Sequence, residues 1–210
     1  YKEISDVYVL GTSPGNNYYR NIYTFLFRLF FIPDKKVDLA IHRNTPNNIR
    51  NFILHILEIK KVKLGKFIFL DDGFYLFKNS QIPSFLDFDT TMKLSQFMFP
   101  PKKNNTENIY ISRRNANWRK VINETDFHDC LSKFDFEILD FENLPVIEQI
   151  NKIKRAKRII SPHGSGLTNL IFSDPKSKVI EILNNKFEKQ LSLLYLKYKR
   201  ISSYIKNTHY

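Results

Sequence analysis

The chain has 210 residues, 42% of them hydrophobic and 15% aromatic, a composition that excludes a disordered protein and allows one large domain or two small ones. Its net charge of +12 gives a surface that attracts phosphates, so the candidate partners are nucleic acid, anionic lipid and an anionic small substrate. The only cysteine, Cys130, excludes an internal disulfide and favours a reducing compartment, so we expect a cytoplasmic protein, at most peripheral to the inner membrane.

The first half of the chain alternates predicted strands with predicted helices. The strands are DVYVL (6–10), VDLAIH (37–42), KFIFL (66–70) and its candidate partner FYLF (74–77). The apolar run 18–30 predicts a buried helix, although Arg28 breaks the run and leaves it too short for a membrane span. Residues 45–60 predict a second helix, because a capping Thr45 precedes apolar residues at helical spacing.

A polar stretch, PPKKNNTEN (100–108), interrupts this pattern and predicts a boundary between an N-terminal domain (1–100) and a C-terminal domain (107–183). In the C-terminal domain, predicted strands alternate with helices of about a dozen residues, which is typical of a doubly wound parallel sheet in an α/β fold. The predicted strands are NIYIS (108–112), FEILD (136–140), RIIS (158–161) and VIEIL (179–183).

The C-terminal stretch 184–210 admits two interpretations. Its apolar residues step by four and three, as they would in one long amphipathic helix. Alternatively, the helix ends near Lys197 and RISSYI (200–205) is a last strand, because Ser202 and Ser203 fit poorly in a helix interior. We favour the second interpretation, a helix and a strand that pack back on the body.

The segment IISPHGSGLTNLIF (159–172) places two glycines where a predicted strand ends and a short helix begins. Ligands of parallel sheets bind beyond the carboxyl ends of the strands. Gly164 and Gly166 permit backbone angles and a close approach that side chains would block, and the helix start directs N–H groups to the same place. The pattern therefore predicts a site for a phosphate or another anion, with a ligand-free tight turn as the alternative.

Three segments in this order resemble glycosyltransferase family 61: ISRRNANWRKVINE, EQINKIKRAKRIISPHGSGLTNLIF and KVIEI. The resemblance implies a GT-B architecture, in which two Rossmann-like doubly wound halves face a cleft. It also implies inverting transfer of a sugar from a nucleotide sugar to a glycan or lipid-linked acceptor, in the synthesis of a polysaccharide or glycoconjugate. No cofactor is implied, because the nucleotide sugar is a substrate.

The resemblance assigns roles to particular residues. The donor cleft would contain His163, Gly164, Ser165, Gly166, Thr168 and Asn169, with His163 also a candidate catalytic residue. Arg113 and Arg114 would neutralise the diphosphate and the charge that builds on the departing nucleotide. Glu181 would accept hydrogen bonds from ribose hydroxyls. The alternatives are that Arg114 and Arg119 are only solvated and that Glu181 serves a local network.

The general base that inverting transfer requires is harder to place. Where the family has His-Trp, this chain has Arg20-Asn21. Asp71, Asp72 or Asp6 could substitute, and their spacing does not choose among them. The chain could also be an inactive relative that only binds a nucleotide.

The sequence disfavours a metal site and a nucleic-acid-binding function. Asp87 and Asp89 form an Asp-X-Asp sequence like the manganese ligands of other transferases, but acids before an apolar helix commonly stabilise its start, so we predict no metal site. A nucleic-acid-binding protein is the rival class, because the chain is basic and has eleven tyrosines. Its aromatic residues lie mostly in apolar runs, so we expect no nucleic acid partner.

Overall fold

The computed structural model describes residues 1–13, 17–33, 35–102, 105–184 and 193–210. The chain divides into two compact units, Tyr1–Leu94 and Ser95–Tyr210. Among the described residues, no helix is long and apolar enough to cross a membrane.

The first unit contains two parallel sheets. One has the order β2 (Val7–Val9), β3 (Val37–His42), β4 (Leu64–Leu70), and the other pairs β1 (Lys2–Ser5) with β5 (Tyr75–Lys78). Helix α1 (Asn47–Ile59) connects β3 to β4 and buries one apolar face, formed by Ile49, Phe52, Ile53, Ile56 and Leu57. This confirms the predicted helix, because residues three and four apart share one face.

Two predictions for this unit differ from the structure. The apolar run after β2 is helical but is not one α-helix, since a π-helix (Arg20–Phe25) continues into a 3-10 helix (Leu26–Phe31). FYLF is a strand, but the pairing with KFIFL is wrong, because β5 lies parallel to β1.

The second unit is built on one parallel sheet, with the order β7 (Phe136–Leu139), β6 (Glu107–Ile111), β8 (Ala156–Pro162), β9 (Lys178–Ile182), β10 (Thr208–His209) among the described residues. Counted in chain order, this is the doubly wound order 2-1-3-4-5, and its topological switch point lies between β6 and β8. The predicted parallel α/β sheet is thus confirmed.

The helices of this unit connect successive strands. They are α3 (Glu124–Ser132), α4 (Val146–Arg155), a 3-10 helix (Ser165–Phe172) and α5 (Leu193–Ile205), while α2 (Phe88–Met98) spans the division between the units. Ile109, Ile159 and Val179, at the centres of three neighbouring strands, are fully buried and form the middle of the core. The strands read as apolar runs because helices cover a parallel sheet on both faces.

The favoured interpretation of the C-terminus, a strand at RISSYI, is wrong. Helix α5 continues to Ile205, and the last strand is β10. Tyr198, Ile201 and Ile205 are buried at helical spacing, and the fully buried Ser202 has a hydrogen-bond partner in His209, so the serine fits the helix interior. The part of the apolar pattern at 185–192 lies outside the described residues.

Candidate functional site

A pocket of about 370 Å³ opens at the carboxyl edge of the sheet in the second unit. It is lined by the loop 119–123, by the end of β8 and the residue after it (Pro162 and His163), and by the end of β9 and the two residues after it (182–184). Beside it, the segments that follow β6 and β8 meet at the switch point of the sheet. This is where the fold rule for parallel sheets places a ligand.

The guanidinium of Arg113, just after β6, lies against the α-carbon of Gly164, just after β8. A β-carbon at position 164 would sit 2.8 Å from Arg113 Cζ and 3.1 Å from its Cδ. Gly164 itself is extended, with φ 178°, so any residue could adopt its backbone conformation. Gly164 therefore makes room for the side chain of Arg113, a contact that the sequence did not predict, and it does not use the unusual backbone angles that glycine permits.

Arg113 is half-buried, and its donors are incompletely used. Its Nη2 donates to the carbonyl of Trp118 at 3.2 Å, while its buried Nε has no partner among the described residues. Burial lowers the pKa of Arg113, and the neighbouring charge of Arg119 lowers it further. The nearby positive charge of Arg119 destabilises the charged form of Arg113. An anion bound at this place would relieve that repulsion and accept the guanidinium's remaining hydrogen bonds.

Other cations stand near the same pocket. Arg119 lines it, and Lys197 on α5 has its pKa lowered by burial and then by Arg119. Arg114 is exposed, and its side chain has no hydrogen bond or ion pair within the described part of the chain. The structure therefore brings Arg113 to the glycine loop and leaves Arg114 in solvent.

His163 lines the pocket and belongs to a buried chain of hydrogen bonds. Its Nδ1 lies 2.5 Å from Oε1 of Glu181, and the other carboxylate oxygen of Glu181 lies 3.0 Å from Nε2 of His209. The side chains of His163, Glu181 and His209 are 6%, 3% and 9% exposed. Burial would raise the pKa of Glu181, but the hydrogen bonds from the two imidazoles outweigh burial and lower it.

The predicted residues of the glycine loop divide into two groups. Gly164, Ser165 and Gly166 stand at the start of the 3-10 helix, where the first N–H groups have no acceptor within the helix. Thr168 and Asn169 are fully buried, and Asn169 Nδ2 donates to Gln149 Oε1 of α4 at 3.0 Å. Asn169 therefore holds the loop onto α4, whereas the buried hydroxyl of Thr168 has no hydrogen-bond partner among the described residues, and neither residue lines the pocket.

Glu124 supports the site, and sequence reasoning missed it. This buried carboxylate accepts hydrogen bonds from Tyr110 Oη at 2.9 Å, from Ser112 Oγ at 2.8 Å and from the backbone N–H of Arg113 at 3.4 Å. Burial opposes the charge of Glu124, but these hydrogen bonds prevail and lower its pKa. Its position in the first turn of α3 resembles that of an ordinary solvated acid, so the sequence carries no signal of its burial.

The candidate bases lie in the first unit, in different surroundings. Asp71 and Asp72 follow β4 at the carboxyl edge of its sheet, whereas Asp6 precedes β2 at the amino edge. Arg43 forms two hydrogen bonds with Asp71 and lowers its pKa. Asp72 is 97% exposed, and its Oδ1 lies 3.3 Å from Nε2 of His42, a residue that the sequence analysis did not select.

The Asp-X-Asp sequence is a helix start. Asp87 accepts hydrogen bonds from the backbone N–H of Thr90 at 2.7 Å and from its hydroxyl at 3.0 Å, and Asp89 lies in the first turn of α2. Within the described ranges, no three His, Cys, Asp or Glu side chains form a group that could hold a metal ion. The predicted structural role of these aspartates is confirmed.

Comparison with known proteins connects this geometry to a family. Residues 18–180, more than half of the chain, match the family model described as Glycosyltransferase 61. An EGF domain-specific O-linked N-acetylglucosamine transferase of Drosophila melanogaster is 29% identical over 92 residues, which are 42% of this chain and 18% of that relative. The match thus spans less than a fifth of the relative's length.

Proposed function

The chain belongs to the glycosyltransferase 61 family, as its sequence motifs suggested, and we propose that it moves a sugar, with inversion, from a nucleotide sugar to a glycan acceptor. The observation that carries the proposal is Arg113, whose guanidinium lies on Gly164 beside the pocket and whose buried Nε has no partner among the described residues. We further propose that the two units are the two halves of a short GT-B architecture, and that the product belongs to a polysaccharide or glycoconjugate.

The donor diphosphate would bind at the switch point of the second unit. Arg113 and the N–H groups at 164–166 would hold its oxygens, with His163 at the wall of the pocket. Arg119 adds positive charge from the opposite loop. Such fixed donors stabilise the charge that develops on the departing nucleotide, so transfer would not require a divalent metal.

Glu181 has a different part in this proposal from the one expected from the sequence. Both of its oxygens are engaged by imidazoles and its side chain is 3% exposed. This geometry favours an indirect role, in which Glu181 holds His163, over a direct contact with ribose hydroxyls.

An exposed apolar pair supports contact with an anionic membrane, where a lipid-linked acceptor would lie. Trp118 is 78% exposed and Ile122 is fully exposed, in a loop that also carries Arg114, Arg119 and Lys120. Apolar side chains among cations suit a surface with anionic head groups over hydrocarbon.

Calorimetry with a panel of nucleoside diphosphates tests the proposal. Arg113→Ala should weaken binding by about 1.5–3 kcal/mol, because a charged hydrogen-bond donor is lost. Arg114→Ala is the matched control and should have a smaller effect, since its side chain is exposed. Unchanged affinity in both variants, or no binding of any diphosphate to the wild type, would overturn the assignment.

The alternative is a transferase-fold protein that binds the nucleotide without catalysis. This alternative is favoured by a difference from the family, because the chain has Arg20-Asn21 where the family has His-Trp. Asn21 is fully buried and accepts a hydrogen bond from the backbone N–H of Ser13 at 2.9 Å, so it has a structural task. Nucleotide binding without transfer or donor hydrolysis would support this alternative.

A further inference from the structure

We infer that His209, in the last strand, is a positioning residue that holds Glu181 and thereby orients the pocket histidine His163. The inference rests on the proposed function, since it assigns His163 to the nucleotide site. His209 lies beyond the residues that match the family model, so the match assigns it no role.

The hydrogen-bond chain fixes which atoms carry protons. Glu181 is ionised near neutral pH, because its pKa is lowered, so each of its oxygens accepts an N–H. His163 therefore donates from Nδ1, and His209 donates from Nε2. The remaining nitrogen of His209, Nδ1, lies 2.9 Å from the hydroxyl of Ser202. A carboxylate held from two sides in this way fixes both the tautomer and the tilt of the histidine it accepts from.

The backbone holds His209 in place independently of its side chain. The N–H of Glu181 donates to the carbonyl of Tyr210 at 2.9 Å, and the N–H of Tyr210 donates to the carbonyl of Val179 at 2.9 Å. One residue before β10, Asn207 Oδ1 accepts from Ser173 Oγ at 2.8 Å. Substituting the imidazole should therefore leave the strand paired and remove the side-chain contacts with Glu181 and Ser202.

The hydrogen bond between His209 and Glu181 matters because both side chains are buried. Without His209, one oxygen of a carboxylate that is 3% exposed would lose its donor, and a buried polar atom without a partner is costly. Glu181 would turn or admit water to recover a partner. Either change would release the constraint on His163, whose ring centre also lies 5.2 Å from that of Tyr198.

The experiment compares His209→Leu with His209→Gln. Leucine removes the donor, whereas the amide of glutamine can still donate to Glu181. Tyr210→Ala is the matched control, because it changes an exposed neighbouring side chain and keeps the same backbone hydrogen bonds. The readouts are nucleoside diphosphate affinity and the imidazole ¹⁵N signals of His163, assigned by comparison with His163→Gln.

We expect the ¹⁵N signals of wild-type His163 to show one tautomer protonated at Nδ1. His209→Leu should mix the tautomers and lower nucleotide affinity on the order of tenfold, a loss comparable to the smaller losses seen when the outer partner of a metal-binding histidine is removed. His209→Gln should restore both readouts, and Tyr210→Ala should change neither. A purely structural role would lower the melting temperature without changing the tautomer signature.

The outcomes separate this inference from the proposed function. Unchanged His163 signals and affinity in His209→Leu would overturn the positioning role, even if the wild type binds nucleotide. Conversely, a wild type that binds no nucleoside diphosphate would overturn the proposed function, while altered His163 signals in ligand-free His209→Leu would still support positioning. If His209→Leu does not fold, failure of the folded His209→Gln to preserve the wild-type signals overturns the inference.

Discussion

Gly164→Ala should weaken nucleotide binding through Arg113 while leaving the fold nearly as stable as before. The new methyl carbon would lie 2.8 Å from Cζ and 3.1 Å from Cδ of Arg113, too close for both groups to keep their places. Because the backbone at Gly164 is extended, alanine causes no strain there, and the guanidinium has to move.

The expected loss of affinity is that of one charged hydrogen bond, about 1.5–3 kcal/mol, or roughly 10-fold to 150-fold. The free energy of unfolding should change little. Replacing a glycine reduces the conformational entropy of the unfolded chain and stabilises the protein by about 0.4–1 kcal/mol, which offsets the displacement of the half-buried Arg113.

The assay is calorimetry on the wild type, Gly164→Ala, Arg113→Ala and the double variant. If the methyl group acts through the guanidinium, the double variant should bind no more weakly than Arg113→Ala alone. Gly166→Ala is the control in the same loop, since its methyl would lie 3.1 Å from Ile111 Cγ2 and should lower stability more than affinity. Unchanged affinity in Gly164→Ala, or fully additive losses in the double variant, would refute the reasoning.

Three other predictions follow from the site. EDTA should not change sugar transfer or donor hydrolysis, and the Asp87→Asn, Asp89→Asn double variant should keep near-normal turnover. Activity that EDTA abolishes and manganese restores would contradict both expectations. Because the pKa of Glu181 lies below its ordinary value of 4.5, the charged form stabilises the fold above that pH, and this contribution is lost as the pH falls through the lowered pKa. When the pH is lowered from about 6 to about 3, thermal unfolding should therefore show a smaller loss of stability in Glu181→Gln than in the wild type. Equal losses in the two proteins would contradict the lowered pKa of Glu181. Anionic liposomes should carry the wild type in flotation but not the Trp118→Ser, Ile122→Ser double variant, and equal flotation with neutral liposomes would remove the proposed membrane contact.

The parallel sheet of the second unit was predictable because its signals are local. Apolar runs alternate with amphipathic segments, and short connections between them leave few alternatives to a doubly wound order. The place of the glycine loop followed from the same pattern, since the carboxyl end of β8 is also the end of the apolar run. The reason for Gly164 was not predictable, because it is the side chain of Arg113, about 50 residues away in sequence, that requires the space.

The wrong predictions and the missed residues all depend on contacts between different elements of the fold. Ser202 and Ser203 disfavour a helix by propensity, but burial of Ile201 and the hydrogen bond of Ser202 to His209 decide the outcome. Glu124 and His209 act through partners on other elements, so neither forms a motif that a linear reading could find. FYLF was given the wrong partner because pairing between β1 and β5 joins distant segments.

We propose that, of the three candidate aspartates, Asp72 accepts the proton from the acceptor hydroxyl, because its surroundings suit this role best. Asp6 lies at the amino edge of its sheet, whereas ligands of parallel sheets bind beyond the carboxyl ends. Asp71 is bound by Arg43, which lowers its pKa and makes it a weaker base. Asp72 stands at the carboxyl edge with a 97% exposed side chain and is hydrogen-bonded to His42 through one oxygen, which leaves the other accessible to a substrate.

Asp72→Asn should therefore reduce sugar transfer by about 100-fold or more, the usual contribution of a general base, and leave nucleotide affinity unchanged. Asp71→Asn is the matched control, and it should keep most of the turnover because its carboxylate is already committed to Arg43. The measurement is transfer under saturating donor, with calorimetry on the same preparations. Normal turnover in Asp72→Asn would rule out this base, and a wild type that binds the nucleotide but transfers no sugar would place the chain among binding proteins. The two results differ in cause, because the first concerns one carboxylate and the second concerns the loss of the family histidine at Arg20.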